Sequence, residues 1–167
     1  MPVINGKTLL RKAPILLMKH VKVQQHGVSY GLGEAGYDIR LRQEVVFKPG
    51  GIAGPHVIVD GGEPEWGRFA IASAMEEFQM PSDLVGIVHD KSTWARQGLS
   101  VFNTVIEPGW NGFLTLELVF HGSKEITIPA GAGIAQVIFS SLAHDAAYEG
   151  KYQNQKDEPV PSRFTNA

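Results

Sequence analysis

The chain is expected to fold as one mainly β domain, a sandwich, jelly roll or barrel with short helices. Three observations predict this. Short β-rich segments recur along its length, turn signals separate them, and 19 glycines and 10 prolines are spread throughout rather than gathered in a linker. At 167 residues the chain fits a single domain with a core of its own. Apolar residues at 43% and charged residues at 19% give a globular balance rather than a disordered one.

Taken in order, no N-terminal helix is evident in residues 1–35. The apolar run at 13–18 is too brief for a signal-peptide core or a membrane span. Residues 56–60, 84–89, 99–102, 113–120 and 125–128 read as strands, rich in β-branched and large apolar side chains. Turns are marked by Lys48-Pro-Gly-Gly51, Asp60-Gly-Gly62, Glu107-Pro-Gly109 and Pro129-Ala-Gly-Ala-Gly133. Between the strands, Ser92 as N-cap and Gly98 as C′ residue predict a helix of one or two turns. Residues 150–167 lack periodicity and read as an extended tail, either a loose end or an arm that closes over a ligand.

Composition excludes several functions. A net charge of −2 argues against a general nucleic-acid binder, so a polyanionic ligand would have to be met by a few placed cations. The absence of cysteine removes disulfides and thiol nucleophiles, and fits a reducing cytoplasm. It also excludes the zinc nucleobase deaminases, which need Cys ligands. The six histidines lack metal-ligand spacing and are read as structural.

A few residues stand out as chemistry. Lys91, Ser92 and Thr93 open the short helix, where free N–H groups, hydroxyls and a cation suit a phosphate; Arg96 shares a face with Ser92. The same residues suit a solvated surface helix. Glu117 interrupts an apolar strand, with Thr115, Glu117 and Val119 on one face and Leu114, Leu116 and Leu118 on the other. It is either a solvated strand residue or a carboxylate aimed into a pocket as general base and acid. Tyr148, Lys151, Tyr152 and Gln155 supply rings, a cation and an amide near the tail.

In order and approximate spacing, five segments resemble the dCTP deaminase family of the dUTPase-like superfamily. They are Gly36-Tyr-Asp-Ile-Arg-Leu41, Lys91-Ser-Thr-Trp-Ala-Arg-Gln-Gly98, Ile106-Glu-Pro-Gly-Trp-Asn-Gly112 with Leu114-Thr-Leu-Glu-Leu118, Ala132-Gly-Ile-Ala-Gln136, and Tyr148-Glu-Gly-Lys-Tyr-Gln-Asn-Gln155. Ala35-Gly-Tyr-Asp38 and Gly133-Ile-Ala-Gln136 would suit a dUTPase equally. Glu117, where dUTPases carry a small apolar residue, and a tail without a Gly-rich arm favour the deaminase branch.

The resemblance implies a distorted jelly-roll barrel, a homotrimer with sites between subunits, and residues 1–167 as one domain whose tail closes over the site. It implies hydrolysis of dCTP to dUTP and ammonia for pyrimidine deoxyribonucleotide synthesis. Mg²⁺ would arrive with the triphosphate, and no zinc, nucleic acid or membrane would take part. Glu117 and Arg96 would be catalytic. Lys91, Ser92 and Thr93, with Trp94 and Ala95 in the same loop, would bind the triphosphate. Glu107 would accept the sugar 3′-hydroxyl, the backbone of Thr115 and Leu116 would edge the base, Tyr148 would pack near the sugar, and Lys151 and Gln155 would close from the tail.

Three positions depart from the family pattern. Glu107 stands where Asp is usual, and its extra methylene moves the carboxylate by roughly 1.5 Å. Asn103 and Thr104 stand where a small Ala and its neighbour are usual. A bifunctional enzyme giving dUMP and pyrophosphate, a plain dUTPase and a non-catalytic nucleotide-binding trimer are the alternatives.

Overall fold

A computed structural model of the protein describes residues 2–164. The chain opens with β1 (Val3–Ile4), helix α1 (Gly6–Lys12), β2 (Lys22–Gln25), β3 (Val28–Leu32), β4 (Tyr37–Arg40), β5 (Val45–Lys48) and β6 (His56–Val59). It continues with β7 (Glu65–Trp66), β8 (Phe69–Gln79), β9 (Leu84–Asp90), helix α2 (Ser92–Ala95), β10 (Leu99–Val101) and β11 (Val105–Ile106). The last strands are β12 (Asn111–Phe120), β13 (Ile126–Ile128) and β14 (Gly133–Ser141).

These strands form three antiparallel sheets. The largest runs β11-β9-β14-β4-β3-β2 with β1 also on β14; the others run β10-β12-β8 and β13-β5-β6-β7. Strands far apart in sequence pair at the centre: β14 lies between β9 and β4, and β12 between β10 and β8. The mainly β expectation holds. One continuous core joins the sheets, filled by Phe47, Phe78, Phe139, Leu116 and Ile39 among others, each at most 1% exposed. Burying such side chains contributes about 1.5–3 kcal/mol each.

All five predicted strands are present, with ends moved by one or two residues. The longest strand, β8, was not among them. Its sequence, Phe-Ala-Ile-Ala-Ser-Ala-Met-Glu-Glu-Phe-Gln, is poor in β-branched residues. Ala70, Ala72 and Ala74 are fully or almost fully buried along it. Small side chains keep the strand where burial rather than propensity decides.

Two local expectations need correction. Helix α1 exists where no helix was evident: it is seven residues long, buries Leu9 alone and ends on Ala13 in the left-handed region, just before Pro14. One buried position leaves no period to read. In α2, Lys91 rather than Ser92 occupies the N-cap position, and no side chain caps the helix. Gly98 does take the positive φ expected after the helix, at 94°.

Two ion pairs tie β4 to its neighbours. Arg40 on β4 meets Glu76 on β8 at 2.8 Å, and Glu76 also accepts the Arg40 backbone N–H at 2.8 Å. Lys91 meets Asp38 on β4 at 2.5 Å, with the Ser29 hydroxyl beside both. The Trp94 indole N–H donates to the Gly133 carbonyl at 2.7 Å, fixing the α2 loop to β14.

Gly133 sits where β14 passes closest to β3, and a methyl group there would collide with the Ser29 carbonyl oxygen. Gly133→Ala should therefore cost about 1–3 kcal/mol in denaturant unfolding, the range for overpacking. Gly50→Ala, which meets nothing within 4 Å, should stay within about 0.5 kcal/mol of the parent. Equal stabilities for the two variants would contradict this packing.

Candidate functional site

Strand β12 positions the residue that interrupts its apolar pattern. Leu116 and Leu118 point into the core, while Glu117, opposite Ile71 of β8, points the other way. A register shift between Phe113 and Thr115 breaks the alternation. Leu114 therefore joins Thr115 and Glu117 on the wall of a cavity of about 530 Å³, instead of following Leu116 as the simple alternation predicted.

Five of the predicted site residues line this cavity: Glu107, Thr115, Glu117, Tyr148 and Gln155. Much of the rest of the wall was not foreseen. Phe69 and Ile71 come from the unpredicted β8, and Val105, Ile106 and Trp110 from the segment around Glu107. Glu65 adds a third carboxylate. Thr104, one of the departures from the family pattern, also faces the cavity. Tyr152 was readable only as one ring in the tail, and nothing in residues 159–162 signalled that Val160, Pro161 and Ser162 would form wall.

The electrostatics are one-sided. No Lys, Arg or His is among the described residues lining the cavity. Burial pushes the Glu117 carboxyl above its ordinary value, partly opposed by a backbone hydrogen bond. A carboxyl shifted this way is better able to hold and release a proton near neutral pH. Among the described residues, no group of three His, Cys, Asp or Glu is arranged to hold a metal ion.

The tail packs against β12 and forms part of the cavity wall instead of trailing away. Gln155 bridges Gly112 of β12, and its carbonyl accepts the Phe113 N–H at 3.0 Å. The Trp110 indole donates to the Tyr152 carbonyl at 2.6 Å, and Asp157 pairs with Arg42 at 2.6 Å. Lys151 does not face the cavity. Its ammonium donates to the Arg163 carbonyl and lies over the Tyr152 ring, 5.3 Å from its centre.

The predicted phosphate segment lies apart from this wall. Ser92, Thr93, Ala95 and Arg96 are exposed, and none of them lines the cavity. Lys91 is committed to Asp38, the two side chains being 11% and 6% exposed. Trp94 is buried, and Leu116 is core. One chain thus does not bring Arg96 to Glu117.

Comparison with known proteins follows the same lines. The backbone resembles that of EIAV dUTPase, with a TM-score of 0.51 at 18% identity over 80% of this chain and 92% of that one. It also resembles the 2′-deoxycytidine 5′-triphosphate deaminase of Agrobacterium tumefaciens, with a TM-score of 0.58 at 17% identity over 85% of this chain and 49% of that one. The fold is therefore dUTPase-like. A dCTP deaminase-like family model matches residues 15–142. A curated relative, the dCTP deaminase of Campylobacter jejuni subsp. jejuni serotype O:6, is 36% identical over 151 residues, 80% of this chain and 81% of the relative. The chain belongs to the dCTP deaminase-like family.

The raised Glu117 carboxyl has a consequence for stability. A carboxyl whose folded pKa exceeds its unfolded value costs stability as pH rises through that window, and the cost is absent below the unfolded pKa. Glu117→Gln should therefore raise the melting temperature at neutral pH, with the gain shrinking as the pH falls below the ordinary carboxylate range. A gain of equal size at every pH would contradict the burial of a charge at this position.

Proposed function

We propose that the protein hydrolyses dCTP to dUTP and ammonia with Glu117 as the proton carrier. The observation that supports this most is a half-buried carboxyl, raised by burial, on the strand that matches the deaminase pattern and at the wall of a nucleotide-sized cavity. Glu117 takes a proton from water as the oxygen attacks C4 of cytosine. It passes that proton to N3. The new C4 hydroxyl then gives its proton, through Glu117, to the exocyclic amino group, whose bond to C4 breaks to leave the C4 carbonyl and ammonia. The pocket holds water and base at reacting distance, which is itself a large part of the acceleration.

The remaining roles follow the wall. Glu107 receives the sugar 3′-hydroxyl, Tyr148 packs beside the sugar, and the backbone at Thr115 and Leu116 edges the base. The tail, with Gln155 at its seat on β12, covers the nucleotide. With no cation on the described wall, the triphosphate needs positive partners from elsewhere. Exposed Arg96 of a second copy brings positive charge beside Glu117, Ser92 and Thr93 of that copy offer hydroxyls to the phosphates, and the working unit in this reading is a homotrimer with shared sites. Lys91 can join them only by exchanging Asp38 for phosphate. Mg²⁺ enters as the companion of the triphosphate, part of the substrate. No helix among the described residues is long and apolar enough to cross a membrane, and the chemistry proposed is that of a cytoplasmic enzyme.

The test is chromatography of products after incubation of the protein with dCTP and Mg²⁺. Formation of dUTP should fall at least ~100-fold in Glu117→Gln, the lower range for a lost general acid–base group, while dCTP binding stays nearly unchanged. Release of dUMP and pyrophosphate would make the enzyme bifunctional. Undiminished turnover by Glu117→Gln would overturn the mechanism.

A further inference from the structure

We infer that Thr115 is a positioning residue: its hydroxyl latches the C-terminal tail onto the strand of Glu117 and thereby keeps water from that carboxyl. The catalytic importance of this latch rests on the deaminase reading; the latch itself does not. Thr115 is 7% exposed, and its hydroxyl oxygen accepts the Val160 N–H at 3.0 Å while lying 3.3 Å from the Gln155 side-chain oxygen. A hydroxyl has one proton to give, and here that proton points to the tail rather than to a ligand. The base would meet the backbone at this position, not the side-chain hydroxyl.

The sequence of the tail makes this contact singular. In Pro159-Val160-Pro161 only Val160 carries a backbone N–H, and Thr115 takes it. Val160 is 9% exposed, and with Pro161 and Ser162 it closes one side of the cavity. On the N-terminal side the tail is seated where β12 has Gly112; a methyl group there would lie 2.5 Å from the Gln155 nitrogen. Between these two points the tail is held by the partly exposed Arg42–Asp157 pair, a kind of contact that contributes little. The buried hydrogen bond at Thr115 joins residues 159–162 directly to β12, while Arg163 just beyond them is tied back to Lys151 and Tyr152 through exposed hydrogen bonds.

Thr115 and Glu117 are two residues apart on the same strand face, so the latch and the carboxyl share one wall. Burial is the leading cause of the raised Glu117 carboxyl, and the latched residues line the same cavity. The other titratable groups on the wall are Glu65, Glu107, Tyr148 and Tyr152; the neighbouring strands β8 and β10 bring none to it. Loosening the tail admits water, which favours the charged carboxylate and lowers its pKa.

The experiment compares Thr115→Val, Thr115→Ser and a chain ending at Asp157, which lacks Val160 altogether, with the parent. Amide exchange at Val160 and NMR titration of the Glu117 carboxyl are both read without substrate. Thr115→Val should speed Val160 exchange by ~10-fold or more, as expected when a buried hydrogen bond loses its acceptor, and should move the Glu117 titration to lower pH. Thr115→Ser should restore both, and the shortened chain should move the Glu117 titration in the same direction as Thr115→Val. A Glu117 titration unmoved in both Thr115→Val and the shortened chain, or no rescue by Ser, would overturn the latch. Failure of the deaminase reading would show separately, as a parent protein that leaves dCTP unchanged.

Discussion

The placement of strand Asn111–Phe120 between Leu99–Val101 and Phe69–Gln79 is the constraint on which the rest of the molecule depends. One face of this strand supplies Leu116 and Leu118 to the core, and the other carries Thr115 and Glu117 on the cavity wall. A one-residue slip would exchange the two faces, burying the carboxyl in the core and exposing leucines. Core packing therefore fixes the register that also aims Glu117. The shift at Phe113–Thr115 and the bare Gly112 then let the tail lie against the same strand. Core, cavity wall and tail contact converge on ten residues.

Charge divides the molecule in a way that bears on its assembly. The cavity wall carries Glu65, Glu107 and Glu117 and no cation among the described residues, whereas Arg96 and the hydroxyls of Ser92 and Thr93 face solvent elsewhere. A chain with a net charge of −2 has no general positive field with which to attract a polyphosphate. In the proposed function these two regions would be joined where copies of the chain meet. The Lys91–Asp38 pair and the Trp94–Gly133 hydrogen bond matter in this arrangement because they fix the helix that carries the second region.

Much of the fold and a part of the cavity wall were legible in the sequence, for identifiable reasons. Residues 113–120 and 84–89 announced themselves because β-branched and large apolar side chains follow one another in a short run. Glu117 stood out by interrupting such a run. Phe69–Gln79 did not, because alanine and glutamate in a buried strand are set by the space its neighbours leave, and Phe69 and Ile71 were lost from the site with it. Helix Gly6–Lys12 has a single buried anchor and so no pattern to see. The role of Lys91 was hidden for a different reason: its partner Asp38 lies 53 residues away, and a tertiary ion pair leaves no local trace. Val160 was equally silent, since a proline-flanked valine reads as loose tail until its one N–H is seen to have a partner.

The measurement that bears most directly on the account is the fate of oxygen when the protein turns over dCTP in ¹⁸O-labelled water. Hydrolytic deamination in the Glu117 cavity puts the label on C4 of the uracil base, and mass spectrometry of the product should find it there and not in the phosphates. Label found only in phosphate oxygens, with the cytosine base unchanged, would mean that the water attacks the triphosphate, and would contradict Glu117 as the base that activates water for attack on C4.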